Sequence, residues 1–137
     1  MKSLNQDIVL THFDHHRLQG VLRVFRERSF VNQWNLDALE LGLTRARTVP
    51  ADTIPCDVVT MNSKVALRNL TTGERSSLIL VFPEALTHDP ERVSVLSALG
   101  LSLLGSRVGD MLEHCGPEPL LIERIDFQPE AKGNYFM

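Results

Sequence analysis

Cysteine is nearly absent: Cys56 and Cys115 are the only two in 137 residues and no Cys-x-x-Cys spacing occurs, so at most one bridge could form. Two isolated cysteines are expected to be reduced packing residues, and a disulfide framework is excluded. Aromatic residues are scarce as well, at 6% of the chain with a single Trp. No apolar run approaches the roughly 20 residues needed to span a bilayer. The N-terminus MKSLNQDIVLTHFDHH also lacks a basic segment leading into an apolar one, so the expected setting is cytoplasmic, away from membranes. Also missing are Gly-x-Gly-x-x-Gly, a phosphate-binding Gly-rich loop ending in Lys-Ser or Lys-Thr, and a Gly-x-Ser-x-Gly elbow. The common nucleotide-binding and hydrolase signatures are thereby unsupported.

What remains fits one ordinary domain, or a small domain with an appendage, able to bury about two-thirds of its unfolded surface. The net charge of −3 is unevenly spread. Residues 1–50 carry seven Lys and Arg (Lys2, Arg17, Arg23, Arg26, Arg28, Arg45, Arg47) against five acids, whereas the remainder carries seven bases against twelve acids. The larger, acidic part would repel phosphate backbones, so independent nucleic-acid binding is not expected.

Hydrophobic periodicity divides the chain near Pro50. Thr11-x-x-Asp14 reads as a capping box ahead of Leu18, Val21, Leu22 and Phe25, spaced for one helical face. After a connector from Arg26 to Trp34, Asn35 is placed to cap a second helix with Leu36, Leu39, Leu43 and Ala46 in a/d spacing. Two antiparallel helices of about 13 residues, each about 20 Å long, would form a hairpin too short to stand alone. It must lean on the rest of the chain or on a partner, and a dimer through Leu18, Phe25, Leu36 and Leu43 is one alternative. Trp34, in the connector, is expected to face the core as a staple rather than to stand out as an anchor.

Val49 to Pro55, with Pro50 and Pro55, reads as the linker between residues 1–49 and 50–137. Beyond it, strands are expected at Asp57–Ser63, Val65–Leu70, Ser77–Phe82, Met111–Cys115 and Leu120–Phe127, in an antiparallel, twisted sheet with Gly73 in a hairpin turn. Pro83–Arg92 reads as a polar loop. Between the strands, Val93–Asp110 (VSVLSALGLSLLGSRVGD) contains a short apolar helix over Ser94–Leu104, capped by Ser94 and stopped by Gly105. Asp110, after Gly109, is placed to tie down a turn through nearby backbone N–H groups. That helix holds no side chain able to move a proton or ligate a metal, which suits packing on a sheet and docking on another protein. The fold class is α+β: a short helical hairpin followed by a twisted sheet cradling one helix.

Little else could carry chemistry. His12 and His16 stand at i, i+4 beside His15 and Asp14, but the sequence offers no general-base Glu within the motif and no distant third ligand. Solvated histidines at a helix end are the simpler reading, and no metal, cofactor or catalytic residue is assigned. Ser94 and Ser97 have no visible base and read as cap and surface.

Several ordered motifs, Asp57-Val-Val-Thr-Met-Asn-Ser63, Arg68-Asn-Leu70, Val93-Ser-Val-Leu-Ser97, Leu103-Leu-Gly105, Arg107-Val-Gly-Asp110 and Phe127-Gln-Pro-Glu130, resemble the regulators of nucleoside diphosphate kinase in the Gre-type transcription elongation factor superfamily of bacteria. The resemblance covers the β-rich half and, more loosely, the hairpin. It implies an FKBP-like C-terminal domain that binds RNA polymerase beside its secondary channel and an N-terminal antiparallel coiled coil directed toward that channel. It also implies an indirect effect on nucleoside diphosphate kinase levels, without phosphotransfer by this chain. Carried onto these residues, the polymerase contact falls on Leu96, Ser97, Ala98 and Leu99. The family pattern has Pro at the position of Ala98 and often an acid at that of Leu96, so an apolar contact replaces part of a polar one.

Cleavage-stimulating relatives use tip carboxylates to help hold a catalytic Mg²⁺, whereas the tip here, RERSFVNQWN, has one acid, Glu27, between Arg26 and Arg28. With Arg28 and Trp34 it defines the tip. The expected activity is therefore binding that competes with Gre factors without stimulating cleavage, by a monomer. A peptidyl-prolyl isomerase, the alternative raised by the FKBP-like resemblance, would need an aromatic-lined cleft, yet the β-rich half offers only Phe82, Phe127, Tyr135 and Phe136.

Overall fold

The computed structural model describes residues 8–28, 32–113 and 116–136. β1 (Val9–Thr11) runs directly into α1 (His12–Phe25), and α2 (Gln33–Arg45) returns into β2 (Arg47–Val49). Contacts between the early part of α1 and the late part of α2 (His15 with Leu43), and between the end of α1 and the middle of α2 (Arg26 with Glu40), make the pair antiparallel. β1 and β2 pair in parallel, Val9 opposite Arg47 and Thr11 opposite Val49, and close the hairpin at its base. Neither strand is expected from the sequence, because three residues are too few to show a period of two.

Thr11 caps α1 as its spacing suggests, its Oγ1 accepting from the Asp14 amide at 3.0 Å. The reciprocal half of the capping box is replaced: the Asp14 carboxylate serves Arg17 and a distant amide instead. The cap of α2 is Asn32, which accepts from Trp34 and Asn35, and not Asn35. Asn35 is instead drawn away by a tertiary hydrogen bond to the Leu96 carbonyl.

The remaining strands are β3 (Lys64–Asn69), β4 (Arg75–Val81), β5 (Arg92–Ser94), β6 (Met111–Leu112) and β7 (Leu120–Phe127), in the order β5-β4-β3-β7-β6. The sheet is mixed rather than antiparallel throughout, because β5, inside and just beyond the stretch read as loop, joins β4 in parallel. Met111–Cys115 reduces to a two-residue strand, with residues 114 and 115 outside those described. Cys56 is exposed and packs nothing, contrary to expectation.

Asp57–Ser63 is no strand, despite its β-branched run. Only Val58 forms a bridge, to Arg107, and the segment spends its polar groups across several elements. The Val59 amide donates to the Ser106 carbonyl at 2.8 Å, Gly105 donates back to Val59 at 3.0 Å, and Gln128 Nε2 donates to the Pro55 and Val58 carbonyls at 2.9 and 2.8 Å. Thr60 donates to Glu130 at 2.7 Å and meets Ser63 at 2.9 Å. The Arg107 amide donates to Asp110 at 2.9 Å, so Asp110 ties down its turn as the sequence suggests. Four of the recognised motifs thus converge on one knot, in which polar side chains bond to backbone and to one another.

The short helix is α3 (Ala98–Leu103), later and shorter than read, with Ser97 as its cap; Ser94 belongs to β5. Gly100 explains the late start. A Cβ there would lie 2.0 Å from the Ser94 carbonyl oxygen, so only Gly lets α3 turn back over the end of β5. Gly105 follows α3 at φ +73°, where a Cβ would also press on Ile8 at 2.7 Å.

A single buried cluster runs through both parts, with Leu18, Leu22, Leu36, Leu39 and Leu43 from the hairpin and Val65, Leu67, Leu80, Leu103 and Ile122 from the sheet side. The stripe offered above for dimerisation is covered within the chain: Leu18 and Leu36 are fully buried and Leu43 nearly so, with Phe25 packed beside them. The joint is also polar, at Asn35 on the Leu96 carbonyl and, more deeply, at Asp14. Asp14, 1% exposed, accepts from the Met61 amide at 3.0 Å and pairs with Arg17 at 2.7 Å, while the Arg17 guanidinium lies 4.2 Å from the Phe13 ring centre and 4.4 Å from that of Phe82.

Burial pushes the Asp14 carboxyl above its ordinary range, with the Arg17 and Met61 hydrogen bonds opposing it. Burial likewise raises Glu130, against its hydrogen bond from Thr60. For a carboxyl raised on folding, the folded chain keeps a proton that the unfolded chain has released, so its contribution to stability is greatest below the ordinary carboxylate pKa and fades as pH climbs through the folded value. In urea denaturation across pH 4 to 7, the wild-type chain should therefore lose stability relative to Glu130→Gln as pH rises; a relative gain would contradict the direction. Asp14→Ala, which strips the Met61 amide and Arg17 of their partner, should cost about 2–3 kcal/mol. Gly100→Ala should destabilise by a similar amount, about 2–3 kcal/mol, because backbone rather than a movable side chain stands in the way.

Candidate functional site

The segment Leu96–Leu99 sits where β5 ends and α3 begins. Ser97 fixes its shape: its Oγ donates to the Ser94 carbonyl at 2.7 Å and accepts from the Gly100 amide at 3.0 Å, while Ser94 Oγ accepts from the Leu96 amide at 3.1 Å. Leu96 and Leu99 are half-buried and lean on the core, leaving Ala98 the exposed member of the four. Asn35 Nδ2 of α2 donates to the Leu96 carbonyl at 2.8 Å, which ties the first turn of α2 to the segment leading into α3. That link joins residues 61 apart in sequence, and no local pattern announces it.

At this same, tip end of the hairpin, Arg26 reaches across to α2, 2.7 Å from Asp37 and 2.8 Å from Glu40, with Gln33 at 3.3 Å. These exposed pairs add little stability, but they fix register and neutralise the two acids nearest the tip on α2. Glu40, and then Asp37, push the guanidinium still further up, so it stays charged. Glu27 and Arg28 are exposed, and Arg28 lies 4.6 Å from the Phe25 ring centre. Trp34, expected to face inward, is 84% exposed. With the cap at Asn32, the core-facing positions of α2 become Leu36, Leu39 and Leu43, and Trp34 falls opposite them.

Two depressions flank the hairpin. One, of about 450 Å³, is lined by His12, His15, Gln19, Glu40 and Thr44 among others, and His15 Nε2 donates to the Leu43 carbonyl at 2.9 Å. The other, of about 690 Å³, runs between α1 (Val21, Val24, Phe25, Arg28) and Phe82–Glu84. Among the described residues, no three of His, Cys, Asp or Glu converge as metal ligands, and no helix is long and apolar enough to cross a membrane. Phe82 and Phe136 are engaged at the hairpin joint, the former under Arg17 and the latter edge-on to Phe13 at 5.2 Å. What the surface presents is a turn at Leu96–Leu99 fixed by Ser94 and Ser97, arginines at the tip and an exposed indole.

Comparison with known proteins agrees with this geometry. Residues 54–122 match the family model "Transcription elongation factor, GreA/GreB, C-term". The chain is 40% identical over 105 residues to the "Regulator of nucleoside diphosphate kinase" of Escherichia coli (strain K12), covering 74% of this chain and 77% of that protein. It is 38% identical over 79 residues to the "Transcription inhibitor protein Gfh1" of Thermus aquaticus, covering 56% of this chain and 49% of the other. Among solved structures, "Prokaryotic transcription elongation factor GreA/GreB from Nitrosomonas europaea" superposes with a TM-score of 0.77 at 31% identity, over 88% of this chain and 99% of that one. The match spans hairpin and sheet together. The chain therefore belongs to the GreA/GreB family of transcription factors, in the company of the regulators of nucleoside diphosphate kinase.

Proposed function

We propose that this transcription-factor-like regulator binds RNA polymerase beside its secondary channel through Leu96–Leu99, directs its hairpin toward the channel, and blocks Gre-type factors without stimulating transcript cleavage. It acts as a cytoplasmic monomer without cofactor, makes no sequence-specific nucleic-acid contact of its own, and affects nucleoside diphosphate kinase levels indirectly. The observation that carries the non-cleaving part is the state of the tip carboxylates. Holding a catalytic Mg²⁺ takes hard oxygen ligands free to turn toward the ion. Asp37 and Glu40 are both engaged by Arg26, and Glu27 stands between two arginines. Reach adds to this: α1 has 14 residues and α2 has 13, so the hairpin extends about 20 Å. The name carried by the Thermus aquaticus relative, a transcription inhibitor, supports the same reading.

Mixed with a backtracked elongation complex, the purified chain should release no short 3′ RNA, and it should slow release by an added cleavage factor in proportion to its concentration. Fragments that appear with the chain alone and vanish with Glu27→Gln would refute the non-cleaving role. For docking, Ala98→Arg is the cleaner probe because Ala98 is exposed, while Leu96→Asp also disturbs the core. Either should weaken retention of core polymerase by about tenfold or more, with Ala98→Arg leaving the unfolding midpoint unchanged; full retention by both would reject this segment as the contact.

A further inference from the structure

Trp34 is the chain's single tryptophan, and it stands 84% exposed on the first turn of α2. An indole left this bare gains nothing for the fold, since its apolar surface stays in water. It is not isolated. Ala38 and Leu41 follow at spacings of four and three, which places all three on one side of the helix, and Leu41 is itself 39% exposed. The stripe lies opposite the buried Leu36, Leu39 and Leu43. Its flanking acids Asp37 and Glu40 are already neutralised by Arg26, so an apolar partner would not have to desolvate them unpaired.

From these observations we infer that Trp34, with Ala38 and Leu41, is a second anchor on the same RNA polymerase surface that receives Leu96–Leu99, continuing the docking segment onto α2. The inference rests on the polymerase-binding reading. Two features assign the stripe to that partner. Leu96–Leu99 alone offers little free surface, because two of its leucines are half-buried, and few contacts of that size hold a protein partner. The Asn35–Leu96 hydrogen bond at 2.8 Å, formed by the residue next to Trp34, joins the start of the stripe to the docking segment. A partner seated on α3 meets a preorganised apolar edge on α2, with the kind of residue that dominates binding energy at interface centres.

Because Trp34 is the only tryptophan, 5-fluorotryptophan labelling gives a chain with one ¹⁹F reporter. The labelled chain is titrated with core RNA polymerase, and retention is compared for wild type, Trp34→Ala, Leu41→Ser and Ala98→Arg, with circular dichroism confirming that each folds. The expected result is a ¹⁹F shift or broadening that saturates with polymerase, loss of contact-shift by dissolved paramagnetic quencher, and a drop in affinity on the order of tenfold or more for Trp34→Ala. Polymerase binding that is undiminished in Trp34→Ala, with the indole still open to quencher, overturns the anchor and leaves the docking segment standing. Absence of polymerase binding by the wild-type chain overturns both. A Trp34-dependent dimer in sedimentation, with polymerase affinity unaffected by Trp34→Ala, overturns the anchor in favour of a second copy of the chain.

Discussion

The hairpin keeps its place because a buried carboxylate is satisfied from two directions. Asp14 meets the Met61 amide of the irregular segment and the Arg17 guanidinium of its own helix, and Arg17 in turn lies against Phe13 and Phe82. A charge removed from water is tolerable only when every lone pair has work to do, so this point admits few alternative arrangements. Apolar contacts between the two parts supply most of the attraction, yet leucine surfaces slide with little penalty. The carboxylate supplies the register that they lack. With the Asn35–Leu96 bond near the tip, that contact places the hairpin and its exposed indole on the sheet.

The recognised motifs show how a family signature can be architectural. Asp57–Ser63, Leu103–Gly105, Arg107–Asp110 and Phe127–Glu130 meet each other in hydrogen bonds that replace a regular strand. None of these residues has to touch a partner for the pattern to matter. They hold β7 and the end of α3 against a segment without ladder pairing, and so shape the surface from which α3 projects. Most of this signature is therefore accounted for by the fold of the chain.

Features set by local chemistry were legible in the sequence: the Thr11 cap, the apolar faces of both helices, β3, β4 and β7, and the turn held by Asp110. What escaped depended on partners far away in the chain. Asn35 resembles a cap until Leu96 claims its side chain, Ser94 resembles one until Gly100 lets α3 begin later, and Asp57–Ser63 has strand composition without a strand neighbour. β1, β2 and β5 are three residues each and owe their existence to pairing alone. The expectation for Leu96–Leu99 rests on family resemblance alone, and the half-buried state of its two leucines depends on packing that no local pattern shows. Trp34 reads inward because large aromatics usually are, yet it stands on the face of α2 opposite the buried leucines.

The pairing of β1 with β2 has one further consequence. The chain enters and leaves the hairpin through adjacent strands, so the helices form an excursion closed at its base. The far end is held down as well, by Asn35 on the Leu96 carbonyl and by the buried Leu36. Inserting matched turns into α1 and α2 would keep the base pairing but pull both residues off their partners, so the length of this hairpin and its attachment cannot vary separately.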